Sequence, residues 1–319
     1  MQMWLSKLAE PYRNNKMNNK VNAVIDLGSN TFHLLIVNVT EQGSFETLLR
    51  KRVFTGLSDG GVDVIKKEKI ISGLETIQDF KKILTTYRGP QLKVIGTAVL
   101  RKASNRMEFI SPAEDILGTK IDIIDGIREA DLIYKGMLLL DGMQTGTHLI
   151  MDIGGGSTEF ILIKEGKKAW SNSYPLGVGI LHELFHKSDP ITLSELEALK
   201  TYVLETIADM IAHIKEHKPA FLAGASGSFE ILQSMSGYEI SHHEISHIDV
   251  QQFYDLHDII INADETERAM LQGLPPERIK LIVVGMALKK IIVDLIRPQS
   301  ILVSPYALKE GVIHEMLSF

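Results

Sequence analysis

The chain has no cysteine among its 319 residues. That excludes a disulfide framework, thiolate metal ligation and a cysteine nucleophile. It also lacks an apolar run long enough to span a bilayer. The best candidate, residues 281–296, is split by Lys289 and Lys290 and carries Asp294. Residues 1–20 lack the apolar core of a secretory signal and read as a polar leader, with Met17 as an alternative start. Nor is there an excess of positive charge. Lys and Arg number 34 against 40 Asp and Glu, a net charge of −6, so a nucleic-acid coat is not expected. With 45% hydrophobic and 23% charged residues, the composition is that of a folded globular chain, long enough for two domains. The expected setting is the cytoplasm, with neither membrane nor nucleic acid as a partner.

Periodicity then orders the elements. Val21–Ile25 and Phe32–Val39 are apolar runs joined by Asp26-Leu27-Gly28-Ser29-Asn30-Thr31, which predicts a hairpin. Residues 67–87 carry helical spacing and stop at Gly89-Pro90. Short strands are predicted at 92–96 and 121–124, and a helix near Arg128-Glu129-Ala130. Leu149–Asp152, a glycine turn and Phe160–Ile163 form a second hairpin. A long helix is predicted from Ser194, with Ser194 and Glu197 as its capping box, through Ile214. Phe221–Ala223 reads as a strand, 240–272 as outer polar helices, 279–296 as a helix, 301–303 as a strand and 307–317 as a last helix.

The most informative pattern is an internal repeat. Asp26-Leu27-Gly28-x-x-Thr31 aligns with Asp152-Ile153-Gly154-x-x-Ser157, each between apolar strands. Gly96-Thr97-Ala98 and Gly224-Ala225-Ser226 form a second pair at nearly the same offset. Glycine lets bare backbone N–H groups approach an anion. Thr31 and Ser157 add hydroxyl donors. Asp26, Asp152 and Glu159 are oxygen ligands of the kind Mg²⁺ prefers. Two such turns facing each other would clamp a phosphoryl group, which points to phosphoryl transfer or phosphate-ester hydrolysis.

These motifs resemble the actin, hexokinase and Hsp70 superfamily. More closely, they resemble the exopolyphosphatase and guanosine pentaphosphate phosphohydrolase (Ppx/GppA) family. The matching stretches are Ala23–His33, Gly96–Arg101, Gly126–Ile133, Asp152–Glu159, Gly224–Gly227 and Ala307–Val312, in family order. The resemblance implies an α/β fold of two duplicated ribonuclease-H-like (actin-like ATPase) domains facing across a cleft. They would span 21–127, with the C-terminal helix at about 305–319 packing back, and 128–304. It implies hydrolysis of a terminal phosphoanhydride, with Mg²⁺ (Mn²⁺ as the alternative) as cofactor. The partner is then inorganic polyphosphate, with pppGpp as a second substrate and a homodimer as the expected assembly. It implies Glu129 as the base that activates water, Arg101 as a phosphate-binding fork, and Asn30, Thr31, Gly154, Gly155, Ser157 and Gly227 as phosphate-contacting positions. Asp26, Asp152 and Glu159 take the metal side. Two departures stand out. Arg128 replaces the first of the family's two adjacent glutamates, and could pair with Glu129 or meet an anionic substrate. The chain also ends at Phe319, as a short form would. The alternatives are a non-catalytic polyphosphate or alarmone sensor and an ATP-dependent kinase of the same superfamily.

Other signals weigh less. His182-Glu183-Leu184-Phe185-His186 has zinc-protease spacing, with Glu205 a conceivable third ligand, but reads better as an amphipathic helix. His242, His243 and His247 read as a solvated face. The basic runs at 50–52, 66–69 and 164–168 would steer a polyanion only if folding aligned them.

Overall fold

The computed structural model describes residues 20–40, 44–225, 227–237 and 244–318. The proposed leader, except Lys20, lies outside the described residues, as do Ser226, His242 and His243.

The first half comprises β1 (Val21–Leu27), β2 (Thr31–Val39), β3 (Phe45–Phe54), α1 (Lys67–Leu84), β4 (Gln91–Gly96), α2 (Ala98–Lys102), α3 (Met107–Leu117), β5 (Asp122–Ile123) and α4 (Gly126–Met137). The second opens with β6 (Thr147–Ile153), β7 (Thr158–Lys164), β8 (Lys167–Tyr174), α5 (Val178–Phe185), α6 (Leu193–Thr206), α7 (Ala208–His217), β9 (Phe221–Ala225) and α8 (Gly227–Met235). It continues with β10 (Ser246–Ile248), α9 (Val250–Asn262), α10 (Glu265–Ala269), a 3₁₀ turn at Pro276–Arg278, α11 (Ile282–Ile296), β11 (Ser300–Val303) and α12 (Leu308–Leu317).

The sheets are ordered β3-β2-β1-β4-β5 and β10-β11-β9-β6-β7-β8. Each has an antiparallel meander, β1-β2-β3 or β6-β7-β8, and a parallel neighbour, β4 or β9, on the other side of its first strand. Even the register irregularity recurs, at Ile36/Val37 in the first meander and Leu162/Ile163 in the second. Strand alternation explains the layers. Ala23, Ile25 and Leu27 of β1 face the core under α1 and α3, while Val24 faces the opposite way. In β6, Leu149, Met151 and Ile153 join the outer core of the second half, and Ile150 turns inward. The inner faces of both sheets therefore share one core with α4 and α12. Those helices cross backbone to backbone. A Cβ on Gly136 would lie 2.1 Å from the Ala307 carbonyl oxygen, and one on Gly311 would lie 1.8 Å from that of Leu132.

The structure differs from the sequence reading at several places. The α6 cap is Thr192, not Ser194. The Thr192 side chain accepts from Glu195 N, and Glu195 Oε2 accepts from Thr192 N at 2.7 Å. Glu195 Oε1 also accepts from Lys187 N and Ser188 N, which fixes the helix start two residues earlier. The single helix predicted to Ile214 is two, because Ile207 (φ −100°, ψ 20°) leaves helical geometry. Within 240–272 the described chain includes a strand, β10, which extends the sheet at β11. The strand expected at 121–124 is only the pair Asp122–Ile123. Among the described residues no helix is long and apolar enough to cross a membrane.

Candidate active site

The repeat delivers two matching turns. Gly28 N donates to Thr31 O at 3.1 Å, and Gly154 N donates to Ser157 O at 2.9 Å. The turns meet. A Cβ on Gly155 would stand 2.7 Å from Asn30 Nδ2 and 2.9 Å from Ser29 Cβ. Only a residue without a side chain permits that approach. Asn30 Oδ1 is occupied, accepting from Ser58 Oγ at 2.6 Å. Its Nδ2 is buried with no protein partner, so it is a donor reserved for something else.

Between the turns lies a cavity of about 110 Å³. Asp26, Asn30, Thr31, Glu129, Asp152, Gly154, Gly155, Ser157 and Gly227 line it, as the sequence reading expected. Two expected residues do not. Arg101 stands outside the wall; its guanidinium donates to Ile124 O at 2.5 Å and pairs with Glu129 at 3.4 Å. Glu159 is buried opposite Asp152 in the β6–β7 register and accepts from Ser173 Oγ at 2.7 Å. A larger cavity of about 410 Å³, walled by residues such as Leu139, Asp141, His148, Phe221 and Glu244, includes neither glycine turn.

Glu129 is placed by its helix. Asp125 caps α4 by accepting from Arg128 N at 2.8 Å, which puts Glu129 in the first turn with 8% of its surface exposed. Gly126 makes room for the helix start, since a Cβ there would lie 2.3 Å from Ser173 Cβ. Arg128 does not pair with Glu129. Successive helical residues point about 100° apart, and Arg128 reaches Asp131 at 3.3 Å and both carboxylate oxygens of Glu315. It belongs to the α4–α12 surface, not the cavity.

The cavity is electrostatically divided. Burial and the Glu159 carboxylate push Glu129 well above the usual carboxylate range, with Arg101 pulling the other way. Burial and Asp152 raise Glu159 to about 7. Burial raises Asp26 to about 7, against the pull of Lys309. Asp26 Oδ1 is buried without a partner. Desolvated carboxylates that repel one another and offer an orphaned oxygen suit a hard divalent cation. Asp26 and Asp152 are the residues that could hold it, with Glu159 adding charge from one layer back.

Around the same cavity stand cations that the sequence did not place there. Arg278 Nη2 donates to Thr31 Oγ1 at 3.4 Å. A Cβ on Gly227 would lie 2.9 Å from Arg52 Nη1 and 3.3 Å from Arg278 Nη2. Lys309 also lines the cavity. Arg52 was visible only as part of a basic run. Arg278 follows Pro275-Pro276-Glu277 in a 3₁₀ turn, where no periodicity marks it.

The remaining metal motifs lie elsewhere. His182 and His186 face each other, Nδ1 to Nδ1 at 3.0 Å, with Asp189 3.7 Å from His186. Among the described residues, the one trio with ligand atoms within 4.8 Å of one another is His213, Glu216 and His217 on α7.

A profile of the Ppx/GppA phosphatase family matches residues 35–318. The chain belongs to the Ppx/GppA phosphatase family. It is similar to the guanosine-5'-triphosphate,3'-diphosphate pyrophosphatase of Vibrio vulnificus (strain YJ016), 31% identical over 306 residues, covering 94% of this chain and 60% of that protein. The chain thus spans about 60% of the length of the curated relatives it matches. A crystal structure of an exopolyphosphatase from Cytophaga hutchinsonii superposes with a TM-score of 0.89 at 30% identity, covering 94% of this chain and 98% of that one. The Aquifex aeolicus Ppx/GppA enzyme shares the fold, with a TM-score of 0.78 at 21% identity over 93% of this chain and 99% of that one. The architecture is the two-domain actin-like fold of this family.

Proposed function

We propose that the protein releases terminal orthophosphate from inorganic polyphosphate, and from pppGpp as a second substrate, using a water activated by Glu129, with Mg²⁺ as cofactor. The observation that carries this reading is the position of Glu129. It is a buried carboxylate aimed between two glycine turns whose donors converge on a cavity of phosphate size.

In this reading the turn N–H groups other than those of Gly28 and Gly154, with Asn30 Nδ2, Thr31 Oγ1 and Ser157 Oγ, bind the terminal phosphoryl oxygens. Arg278, Arg52 and Lys309 take the next phosphates. Bound Mg²⁺, held through Asp26 and Asp152, supplies neutralising charge and lowers the affinity of nearby carboxylates for protons. Glu129 accepts a proton from water as the water oxygen bonds to the terminal phosphorus. The bridging P–O bond then breaks, and the shortened chain leaves as an anion. Arg101 pairs with Glu129 from outside the cavity and favours its charged form. Such a base contributes roughly 10²–10⁴ in rate.

The test is phosphate release from medium-chain polyphosphate and from pppGpp, each with Mg²⁺ and with excess chelator. Release that requires the cation is expected from polyphosphate, with a slower rate from pppGpp. If folded protein releases no phosphate from either at any Mg²⁺ concentration, the hydrolase reading fails.

A further inference from the structure

Lys289 is the buried charge that the proposed reaction leaves unused. It lies on α11 with no exposed surface, two residues from apolar neighbours on either side of the helix turn, Ala287 and Ile291. Its neighbour Lys290 behaves ordinarily, reaching the surface and pairing with Asp294 at 2.6 Å. Lys289 instead donates to Ser228 Oγ at 2.7 Å and lies 5.0 Å from the centre of the Phe229 ring. Gly285, one turn earlier on α11, packs beside the pair: a Cβ there would be 3.9 Å from Lys289 Nζ and 4.0 Å from Ser228 Oγ, ordinary contact distances. Ser228 lines the cavity in the first turn of α8, beside Gly227 and the Arg52–Arg278 pair.

We infer that Lys289 is a positioning residue for a substrate phosphate: its amine grips Ser228 Oγ from behind and leaves that hydroxyl's hydrogen to donate into the cavity. The inference rests on the phosphohydrolase reading and deepens it, by assigning a phosphate seat at the start of α8.

A serine hydroxyl has one hydrogen and two lone pairs, and its rotor turns to suit its surroundings. An N–H donor fixed on one lone pair sets the polarity, so the hydrogen points toward the open side. Backbone N–H groups at the helix start favour an anion at the same place. The amine also matches its charge to the ligand. Burial first, then Arg278, lower Lys289 to about 7. Elsewhere around α11 the charged groups turn to other partners: Glu230 of α8 to Arg52, His182 of α5 to His186, and His257 of α9 to Asp258. On α6, Glu195 turns to the chain at Lys187, Ser188 and Thr192, and Glu197 to Lys200. A phosphate at Ser228 is therefore the negative charge that draws a proton onto the amine, so binding takes up a proton at alkaline pH.

The probe is tripolyphosphate with Mg²⁺, titrated calorimetrically at pH 8 in two buffers of different ionisation enthalpy. Wild type, Lys289→Met, Ser228→Ala and the double variant are compared. Methionine approximates the lysine volume in an apolar setting, so the fold is expected to persist, checked by thermal melting. Lys289→Met is expected to bind about tenfold more weakly, the worth of a charge-assisted hydrogen bond. It should also take up close to one proton fewer than wild type. For polyphosphate turnover the loss should appear in KM, with kcat within about threefold. Ser228→Ala should weaken binding similarly, and the double variant should be no weaker than Ser228→Ala alone. Undiminished affinity or unchanged proton uptake in Lys289→Met overturns the inference while leaving the hydrolase reading intact. So do losses that add in full. Wild type that binds no tripolyphosphate sinks both.

Discussion

The two hairpins at the cavity are the same structure with different chemistry. Asp26 lies across from His33 in the first, and Asp152 lies across from Glu159 in the second. Their turns close with the same hydrogen bond, and their third strands show the same register irregularity. Yet burial, Lys309 and the Arg52 and Arg278 guanidinium groups hold His33 well below its usual range, so it is neutral. Glu159 adds a second carboxylate beside Asp152 and a third beside Glu129. One register position thus gives Asp152 a carboxylate neighbour and Asp26 a neutral imidazole, so negative charge concentrates on the side of Asp152 and Glu129. Duplication supplies a frame with donors on both sides, and single differences within the frame divide the labour.

The largest effect on this division comes from removing the base. Glu129→Gln keeps shape and burial, and polyphosphate turnover should fall by at least about a hundredfold. Measured phosphate release near wild type in the variant would show that the acidic wall has another base. Next is the close approach of the turns. Gly155→Ala puts a methyl group against Asn30 and Ser29, and should raise KM by roughly tenfold or more. The equivalent change at Gly89, where a Cβ meets nothing within 4 Å but φ is +55°, should cost some stability and leave the turnover of folded protein unaltered, which separates backbone strain from obstruction of the site.

Making the hairpins alike is the direct attack on the comparison. His33→Glu would add a buried carboxylate beside Asp26 and should destabilise the metal-free protein by about 3 kcal/mol at neutral pH, read as a lower denaturation midpoint. An unchanged midpoint would mean that the first wall tolerates charge as the second does.

The carboxylates also predict a pH dependence of stability. Asp26 and Glu159 hold protons up to about 7 when folded, well above ordinary carboxylates. Between about pH 4.5 and 7 the folded state therefore binds more protons than the unfolded state. Their contribution is fully present below the unfolded pKa and is lost as pH rises through 7. Melting temperature without metal should fall across that window. Mg²⁺ should restore it above pH 7 by binding the folded form, and Asp26→Asn should flatten the fall. The smallest effect belongs to Arg128. Its partners are Glu315 and Asp131 on a partly exposed surface, so Arg128→Ala should cost under about 1 kcal/mol and change turnover by less than about threefold. A large kinetic loss would place Arg128 at the cavity after all.

Much of this was legible from residue order. Continuous apolar runs around Asp26 and Asp152 mark both hairpins, because a central strand buried on both faces must be apolar on both. β3 and β8 were not recognised. Phe45–Phe54 contains Arg50-Lys51-Arg52, and Lys167–Tyr174 begins with two lysines. Each pairs through its backbone with the apolar strand beside it, a contact local hydropathy does not register. Spacing alone does not locate the start of α6, since Ser194/Glu197 and Thr192/Glu195 are spaced identically. The choice fell to Glu195, which also ties down Lys187 and Ser188.

At the site, the sequence by itself determined the repeated turns, the carboxylates and the position of Glu129 in the first turn of a helix. These are local properties: a glycine turn, a strand ending in aspartate, a cap at Asp125. The tertiary structure decided what stands across the cavity from them. It placed Arg101 outside the wall beside Glu129 and turned Arg128 away to Glu315. It brought Arg52 and Arg278 together over Gly227 and buried Lys289 against Ser228. Each of those pairings joins residues far apart in the chain, and its energy depends on burial and distance, which exist only once the two halves have packed.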